Sequence, residues 1–466
     1  MTAQAWRLSL RGLAAAYASG ETNPVAVLEA LEQRIDKLNP ELNAIIARNP
    51  GAMAAARESA ARFRAGRPRS ALEDVPFTVK DSILVGGLPC TWGSRVLQDY
   101  VPPQDELPVA RLRAAGAIVI GKTNVPEFTL EGYTNNPLYG VTRNPWDTAL
   151  TPGGSSGGAV SAVAAGLGAF AIGTDGGGSI RRPASHTGLV GLKPSIGRVA
   201  RGPSLPQILL DMEVIGPIAR SVADCRLIFN VIAQPDASDR NSLCGPDPRP
   251  NEKPPRILYV PRFGSAPIDP QVLASTNAAA RMLEGLGAQV VGGDLPFDVG
   301  PLTEFWPLLG QVGVAYVLDA HPAKAHLAAE RWRSIAEEGR KVPAARYLAG
   351  LELIEAFRRT VTEAFANVDF IMTPSAAALP WAADQQYPEL IDGQPVGPRG
   401  HAVYTGWVNA CGHPAISLPC APSREGMPMG FQLVGRLGAD EQVLDLAAQY
   451  ESEQPGEAPW PPIALG

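Results

Sequence analysis

Two glycine-rich segments that contain serine constrain the fold of this chain more than any other feature. Residues 151–159 read Thr-Pro-Gly-Gly-Ser-Ser-Gly-Gly-Ala, and residues 173–184 read Gly-Thr-Asp-Gly-Gly-Gly-Ser-Ile-Arg-Arg-Pro-Ala. Neither ends in the Lys-Ser/Thr pair of a Walker loop, and neither shows a clear strand–glycine–helix order. Glycine-bounded serines suit acyl transfer, because the hydroxyl must be exposed and nearby N–H groups must be free to bind an oxyanion.

Strands and amphipathic helices alternate along the chain, which predicts an α/β fold. A helix capped by Asn23-Pro24 is expected to stop at Asn39-Pro40, and a helix over 105–116 leads into a buried strand at 117–121. Residues 256–291 repeat the strand–helix–strand order. This order predicts one large domain whose central, mixed but largely parallel twisted sheet is covered by helices on both faces.

Three further segments have distinctive composition. Residues 157–168 are rich in alanine and glycine, which predicts a tightly packed central helix starting at Ser155-Ser156. The N-terminus of such a helix carries unpaired N–H groups and a partial positive charge, which favour an anionic intermediate. Residues 235–255 are proline-rich and polar, so we expect an exposed connection, and residues 455–466 predict a loosely packed tail.

The overall composition is that of a globular protein with a large core. The 466 residues are 45% hydrophobic and 18% charged. A net charge of −6 gives no basic footprint for nucleic acid or an anionic membrane, so we expect neither as a partner. No run of 18 apolar residues predicts a membrane span, and the N-terminus lacks the pattern of a secretory signal.

The cysteines and histidines predict neither disulfides nor metal binding. The five cysteines are scattered without CxxC spacing, which favours reduced, buried thiols and a cytoplasmic location. The five histidines show no paired metal-ligand spacing. We therefore expect no metal and no cofactor.

A lysine upstream completes a recognisable set of residues. Residues 75–80 read as a short buried strand ending in Lys80. A lone lysine at a strand end is ordinarily a solvated charge. Together with the pair Ser155-Ser156 and with Ser179, however, Lys80 resembles the amidase signature family, whose members hydrolyse amides with a Ser-Ser-Lys triad and no histidine.

The resemblance extends over most of the chain. It begins near Asn23, weakens between about residues 235 and 400, and returns near the C-terminus. The matching motifs outside the serine segments lie at 121–128, 136–140, 143–147, 188–195, 412–419 and 428–435. We expect a single amidase signature domain over 1–466, comprising a helical N-terminal region (1–65), a catalytic core (66–235), a variable substrate-side region (236–400) and a C-terminal return to the core (401–466).

The resemblance implies a role for each member of the triad. Ser179 is the nucleophile, Lys80 the base, and Ser155 a proton relay that the family holds in a cis peptide. A free lysine has a pKa of ~10.4 and is protonated at neutral pH. Burial beside Val75, Phe77 and Val79 is expected to lower that pKa, with the neighbouring Asp81 directed elsewhere.

The residues around Ser179 are expected to support the reaction. The N–H groups of Gly176, Gly177, Gly178 and Ser179 form the oxyanion hole that the resemblance implies. The carboxylate of Asp175 braces the loop. Glycine at position 176 departs from the threonine or isoleucine commoner in the family.

Two arginines follow Ser179. Arg181 follows the family pattern and is expected to pair with a carboxylate near the site. Arg182 is unusual at its position. A surface salt bridge is the favoured interpretation, and binding of a substrate carboxylate is the alternative.

Two kinds of function fit this site. One is a free-standing hydrolase of small or aromatic amides and anilides, with carbamates and esters as further substrates. The other is the glutaminase subunit of a tRNA-dependent amidotransferase, which works only in a complex. A homologue that has lost catalysis is disfavoured, because Lys80, Ser155 and Ser179 are all present.

The substrate positions favour the free hydrolase. Ala402 stands where the glutaminase subunit carries an aspartate for the amino group of glutamine. Thr129, Leu130, Tyr133 and Trp407 are the candidate substrate-binding residues, and Tyr404 is expected to add to an aromatic wall. The partner is then a small amide or carbamate, and the family suggests a homodimer.

Overall fold

One large mixed β-sheet forms the framework of the molecule. The computed structural model describes residues 2–243, 245–247, 254–454, 456 and 458–466. Within them, eleven strands follow the order β1-β3-β2-β4-β6-β5-β12-β13-β9-β7-β8, and β10 and β11 form a separate hairpin. The strand bounds are β1 Ile45–Arg48, β2 Pro76–Lys80, β3 Ile118–Thr123, β4 Phe170–Asp175, β5 Val190–Lys193, β6 Val214–Ala219, β7 Arg256–Tyr259, β8 Gln289–Gly292, β9 Phe370–Pro374, β10 Leu390–Ile391, β11 Gln394–Pro395, β12 Ala415–Cys420 and β13 Met429–Gly435.

The sheet is mixed, as expected, but it is not largely parallel. Strand β2 pairs in parallel with β3 and β4, and β7 pairs in parallel with β8 and β9. The remaining neighbours in the sheet are antiparallel, including β12 with both β5 and β13. A strand buried on both faces carries the same apolar sequence in either orientation, so the sequence pattern does not reveal its direction.

Helices cover both faces of the sheet. Their bounds are α1 Leu10–Ser19, α2 Pro24–Leu42, α3 Ala52–Arg64, α4 Leu107–Ala114, α5 Gly157–Ala164, α6 Arg181–Thr187, α7 Val222–Ile232, α8 Pro270–Gly285, α9 Gly300–Ala320, α10 Glu330–Arg340, α11 Ala344–Ala364, α12 Gly406–Cys411, α13 Asp440–Ser452 and α14 Pro462–Leu465. No helix in the described ranges has both the length and the hydropathy to cross a membrane.

Helix α2 starts as predicted and ends later. The side chain of Asn23 caps it by accepting a hydrogen bond from the N–H of Ala26 at 3.0 Å. The expected stop at Asn39-Pro40 is wrong, because the helix continues through Pro40 to Leu42. Pro40 lies in the last turn, where its missing N–H costs one backbone hydrogen bond, and Asn43, in the left-handed conformation, ends the helix.

The central helix α5 is buried along its whole length. It begins after Ser156 and ends at Ala164, four residues before the predicted end at 168. A Cβ on Gly158 would lie 2.6 Å from the carbonyl oxygen of Asn124. The small residues of this helix therefore allow close packing against the loop that follows β3.

The tail is anchored where it is described, contrary to the expectation of loose packing. The indole of Trp460 lies 4.5 Å from that of Trp6 and beneath the guanidinium of Arg220 at 3.4 Å. Arg34 also donates to the carbonyl of Ala464 at 2.8 Å. The expected exposed connection at 235–255 falls partly outside the described residues.

Candidate active site

The parallel pairing of β2 with β4 places Lys80 beside the second glycine-rich segment. Its ammonium nitrogen Nζ lies 2.8 Å from Oγ of Ser155 and 2.7 Å from Oγ1 of Thr174, and it also contacts the carbonyl oxygen of Thr174 at 3.1 Å. Lys80 is completely buried. The carboxylate of Asp81 faces away and accepts hydrogen bonds from the backbone and hydroxyl of Thr91 and from the backbone of Gly93.

Burial changes the acid–base properties of Lys80. Desolvation lowers its pKa to about 7, against the opposing influence of the carboxylates of Glu213 and Asp175. A pKa near neutrality leaves a substantial fraction of the amine unprotonated at pH 7. The neutral amine can then accept the hydroxyl proton of Ser155 at the observed distance.

The first glycine-rich segment places Ser155, rather than Ser156, against Lys80. The peptide bond between Gly154 and Ser155 is cis. The hydroxyl of Ser156 instead donates to the carbonyl of Thr174 at 3.2 Å, and its N–H donates to the carbonyl of Ser179 at the same distance. These bonds hold the two serine segments together.

Ser179 and Ser155 line the same cavity, of about 260 Å³. Ser179 is 7% exposed and Ser155 1% exposed, so the former is the more accessible to a substrate. The triad residues predicted from sequence are thus brought together, with Ser155 adjacent to Lys80 and Ser179 at the cavity surface.

The predicted oxyanion hole needs one correction. The N–H of Gly178 donates to the carboxylate of Asp175 at 2.6 Å, so it is not available to an oxyanion. The carbonyl of the preceding Gly177 accepts from Arg182 and Thr405, which turns the Gly178 N–H away from the cavity. Gly176, Gly177 and Ser179 do line the cavity and remain the candidate donors.

A buried network holds the loop that precedes Ser179. Asp175 also accepts from the N–H of Ile180 at 3.1 Å and forms an ion pair with Arg181 at 2.9 Å. Burial alone would raise the pKa of Asp175, but Arg181 and the hydrogen bonds hold it well below its usual range. Asn409 and Gln432 complete the network through Arg181. Asp175 and Arg181 thus have the bracing contacts expected of them.

Arg182 corrects another expectation. It is 5% exposed and lines the cavity instead of forming a surface salt bridge. Its Nη1 donates to the carbonyl of Gly177 and, at 3.0 Å, to the hydroxyl of Thr405. Burial, reinforced by the positive charge of Arg399, lowers the pKa of Arg182 to about 9.

The substrate-binding residues predicted from sequence are only partly placed at the cavity. Thr129 and Leu130 line it, as does Ala402. Tyr133 and Trp407 are not among the described residues that line it. The backbone of Tyr133 instead packs against Gly154, and the indole of Trp407 is buried 5.2 Å from the ring of Phe297.

Tyr404 also belongs to the core. It is completely buried, and its hydroxyl donates to the carbonyl of Pro261 at 3.0 Å. The aromatic wall of the cavity instead comes from Trp306 on α9 and Trp332 on α10. Tyr133, Tyr404 and Trp407 lie close to the family motifs in the sequence, whereas Trp306 and Trp332 lie in the variable region, where no local motif marks them.

The cavity also carries polar side chains that the sequence did not reveal. Gln311, Arg331, Gln386 and Arg399 line it, together with Glu131 and Glu213. Glu131 accepts from Arg331 and, at 2.6 Å, from Gln386. No cluster of three or more His, Cys, Asp or Glu that could hold a metal ion occurs among the described residues.

The comparisons with known proteins identify the family. The amidase family model matches residues 26–444. This chain belongs to the amidase signature family. The match covers both serine segments, Lys80 and the return to the core near the C-terminus, so the resemblance noted in the sequence is confirmed.

Sequence relatives of the chain include components of amidotransferases. The A-type subunit of glutamyl-tRNA(Gln) amidotransferase from Synechococcus sp. (strain CC9605) is 34% identical, over all of this chain and 99% of the relative. Its counterpart from Myxococcus xanthus (strain DK1622) is also 34% identical, over 96% of this chain and 97% of the relative.

Similar solved structures include amide-hydrolysing enzymes. A bacterial aryl acylamidase superposes with a TM-score of 0.88 at 26% identity, covering 98% of both chains. A 6-aminohexanoate cyclic dimer hydrolase in complex with its substrate has a TM-score of 0.88 at 28% identity, covering 99% of both chains. The α/β fold of this chain is therefore that of the amidase signature enzymes.

Proposed function

We propose that this protein is a self-sufficient hydrolase of small amides and anilides that acts through an acyl-serine on Ser179. The observation that carries the proposal is the contact between the buried Nζ of Lys80 and Oγ of Ser155, at a cavity that Ser179 also lines. Burial lowers the pKa of Lys80 to about 7, so its neutral form is available near that pH and can remove a proton that serine alone retains.

The proposed reaction has two stages, acylation of Ser179 and hydrolysis of the acyl-serine. Oγ of Ser179 attacks the amide carbon while its proton passes through the hydroxyl of Ser155 to Lys80. The N–H groups of Gly176, Gly177 and Ser179 stabilise the resulting oxyanion. Collapse breaks the C–N bond, and the amine leaves with the proton that Lys80 returns through Ser155.

Water then attacks the acyl-serine. Its proton takes the same route through Ser155 to Lys80. Collapse of the second tetrahedral intermediate then breaks the bond between the acyl carbon and Oγ of Ser179, Lys80 returns the proton through Ser155 to that oxygen, and the carboxylic acid is released. The same steps cleave esters and carbamates, because both pass through an acyl-serine and an oxyanion. The geometry calls for no cofactor in either stage.

The second candidate function is that of a glutaminase subunit. The 34% identity to the A-type subunit of glutamyl-tRNA(Gln) amidotransferase over the full length favours it. Ala402 argues against it, because this buried methyl group occupies the cavity wall at the position that we expect to hold an aspartate in that subunit. A glutamine ammonium there would lose its hydration without gaining a carboxylate partner.

The kcat/KM of the purified chain for glutamine and for an acetanilide separates the two functions. We expect hydrolysis of the anilide without partner, tRNA or ATP, and little hydrolysis of glutamine. The Ala402→Asp variant should lose anilide activity, because a carboxylate then faces an apolar group. A preference for glutamine, or activity that depends on partner subunits and tRNA, would overturn the free-hydrolase proposal.

A further inference from the structure

Two arginines at the cavity lack a carboxylate partner. Arg182 and Arg399 both line it, and no ion pair involves either of them within the described ranges. Arg182 is 5% exposed, and its Nε is buried without a hydrogen-bond partner among the described residues. A buried guanidinium without a counter-ion is costly, so a ligand that supplies the missing charge is expected.

The two guanidinium groups converge on the loop before Ser179. Nη1 of Arg182 donates to the carbonyl oxygen of Gly177. A Cβ built on Gly177 would lie 3.7 Å from Nη2 of Arg399. The positive charge of Arg399 therefore adds to that of Arg182 beside this loop and disfavours the protonated form of Arg182.

The nearby carboxylates are already matched to other arginines. Asp175 forms its ion pair with Arg181, and Glu131 forms one with Arg331. Glu213 lies 3.7 Å from Arg201. Because these three carboxylates lie beside other arginines, the guanidinium groups of Arg182 and Arg399 face the cavity without a carboxylate partner among the described residues.

We infer that Arg182 and Arg399 form a subsite for a carboxylate group of the substrate. The substrate class is a small amide that bears an anionic carboxylate near its scissile bond, such as the monoamide of a short dicarboxylic acid. Guanidinium groups suit this ligand, because their planar N–H donors match the two oxygens of a carboxylate. The cavity volume of about 260 Å³ is below the usual range for drug-sized ligands, which agrees with a small substrate.

This subsite rests on the proposed function, and a kinetic experiment tests it with matched substrate pairs. Succinamate is compared with succinamide, which places the carboxylate on the acyl half, and 4-acetamidobenzoate with 4-acetamidobenzamide, which places it on the amine half. We expect the wild-type protein to prefer the anionic member of at least one pair by about 10- to 100-fold in kcat/KM. Equal or better hydrolysis of the neutral member in both pairs would overturn the subsite while leaving the hydrolase proposal intact.

Arg399→Gln is the informative variant, because no hydrogen bond of the Arg399 guanidinium to another described residue supports the fold. It should lower kcat/KM for the preferred anionic substrate by about 10- to 100-fold, mainly through KM. The neutral partner should change by less than roughly threefold. Arg333→Gln removes the same charge from an exposed position on α10, beside Trp332, and should affect neither substrate. A parallel loss for both members of the pair in Arg399→Gln would contradict carboxylate binding.

A binding measurement tests the carboxylate subsite independently of catalysis. The Ser179→Ala protein is titrated calorimetrically with malonate, succinate and glutarate, and with the corresponding diamides. At least one dicarboxylate should bind more tightly than its diamide, and Arg399→Gln in the same background should weaken that binding by about 10-fold or more. Equal affinity for every dicarboxylate and its diamide would refute the subsite even if the wild-type protein proves to be an active hydrolase. Carboxylate-selective binding by a protein that hydrolyses no amide would instead refute the proposed function alone.

Discussion

The two sides of the cavity are held in different ways. On the side proposed to be catalytic, Lys80, Ser155 and Ser179 lie on strand ends and loops that are buried and held by hydrogen bonds to one another and to backbone groups. On the substrate side, Trp306 and Arg331 reach the cavity from α9 and α10, whose outer faces carry exposed ion pairs. The difference indicates that the chemistry of the reaction depends on a fixed backbone. The choice of substrate depends instead on helical side chains that can be substituted without altering that backbone.

The largest expected effect on activity comes from removing the proposed nucleophile, Ser179. Ser179→Ala should lower kcat/KM by at least about 10⁴-fold, because no other group then forms the acyl intermediate. Thermal unfolding should be unchanged, since only one hydroxyl at the cavity surface is lost. Mass spectrometry after fluorophosphonate treatment should place the adduct on Ser179 in the wild-type protein.

Ser156→Ala is the matched control for that experiment. Its hydroxyl donates to the carbonyl of Thr174 and does not contact Lys80, so activity should fall far less than in Ser179→Ala. An adduct on Ser155 or Ser156, or more than a few per cent of activity in Ser179→Ala, would show that the nucleophile is misassigned.

The second largest expected effect on activity comes from replacing Lys80, the proposed base. Lys80→Met fills the same buried space with an apolar chain and should lower kcat/KM by about 10²- to 10⁴-fold. Because burial lowers the pKa of Lys80 to about 7 and only the neutral amine accepts a proton, kcat/KM of the wild-type protein should rise as pH increases through about 7. A profile that stays flat from pH 5 to 9, with chemistry rate-limiting, would contradict a lysine base.

The third prediction concerns stability and compares one ion pair from each side of the cavity. Asp175→Asn leaves the buried Arg181 without its charged partner and should reduce the free energy of unfolding by about 3–5 kcal/mol. Arg340→Gln breaks an exposed pair with Asp319 on the substrate side and should cost at most about 1 kcal/mol. Urea denaturation measures both, and equal costs would remove the distinction between the two sides.

The pH dependence of stability follows from the same carboxylate. The folded-state pKa of Asp175 is depressed, so its stabilising contribution is complete above the unfolded-state pKa of ~3.9 and is lost as pH falls below it. The wild-type protein should therefore lose stability in acid more steeply than Asp175→Asn. Parallel acid denaturation curves would indicate that Asp175 is not ionised in the folded protein.

The same contrast explains which features could be predicted from sequence. That Lys80, Ser155 and Ser179 lie together could be predicted, because each belongs to a local motif whose glycines or strand pattern are visible in the sequence. The use of the Gly178 N–H by Asp175 could not, because it depends on how the carbonyl of Gly177 is held by Arg182 and Thr405. The direction of the strands could not be predicted, because a strand buried on both faces has the same apolar sequence pattern in a parallel and in an antiparallel sheet.

The substrate side was the least predictable, for a physical reason. Trp306 and Trp332 are separated by more than 120 residues from Ser179, and ordinary helical packing accounts equally well for tryptophans in such segments. Only the three-dimensional packing of α9 against α10 shows that both tryptophans line the same cavity as the serines. Arg182 lay inside a recognised motif, yet its burial depends on Thr405 and Gly154, which are distant in sequence.

The smallest expected effect tests the substrate side directly. Trp306 is half-buried and lies at the cavity wall, so Trp306→Ala removes apolar surface from the substrate without opening the core. KM for an anilide should rise by about 10-fold, with kcat within roughly threefold, because the lost contact is present in both ground and transition states. Trp332→Ala is the contrasting variant, since its indole is 4% exposed and its removal should instead lower the free energy of unfolding by about 3–5 kcal/mol. If Trp306→Ala lowered kcat and kcat/KM equally, this side chain would position the reacting bond, and the separation between chemistry and substrate choice would fail at this residue.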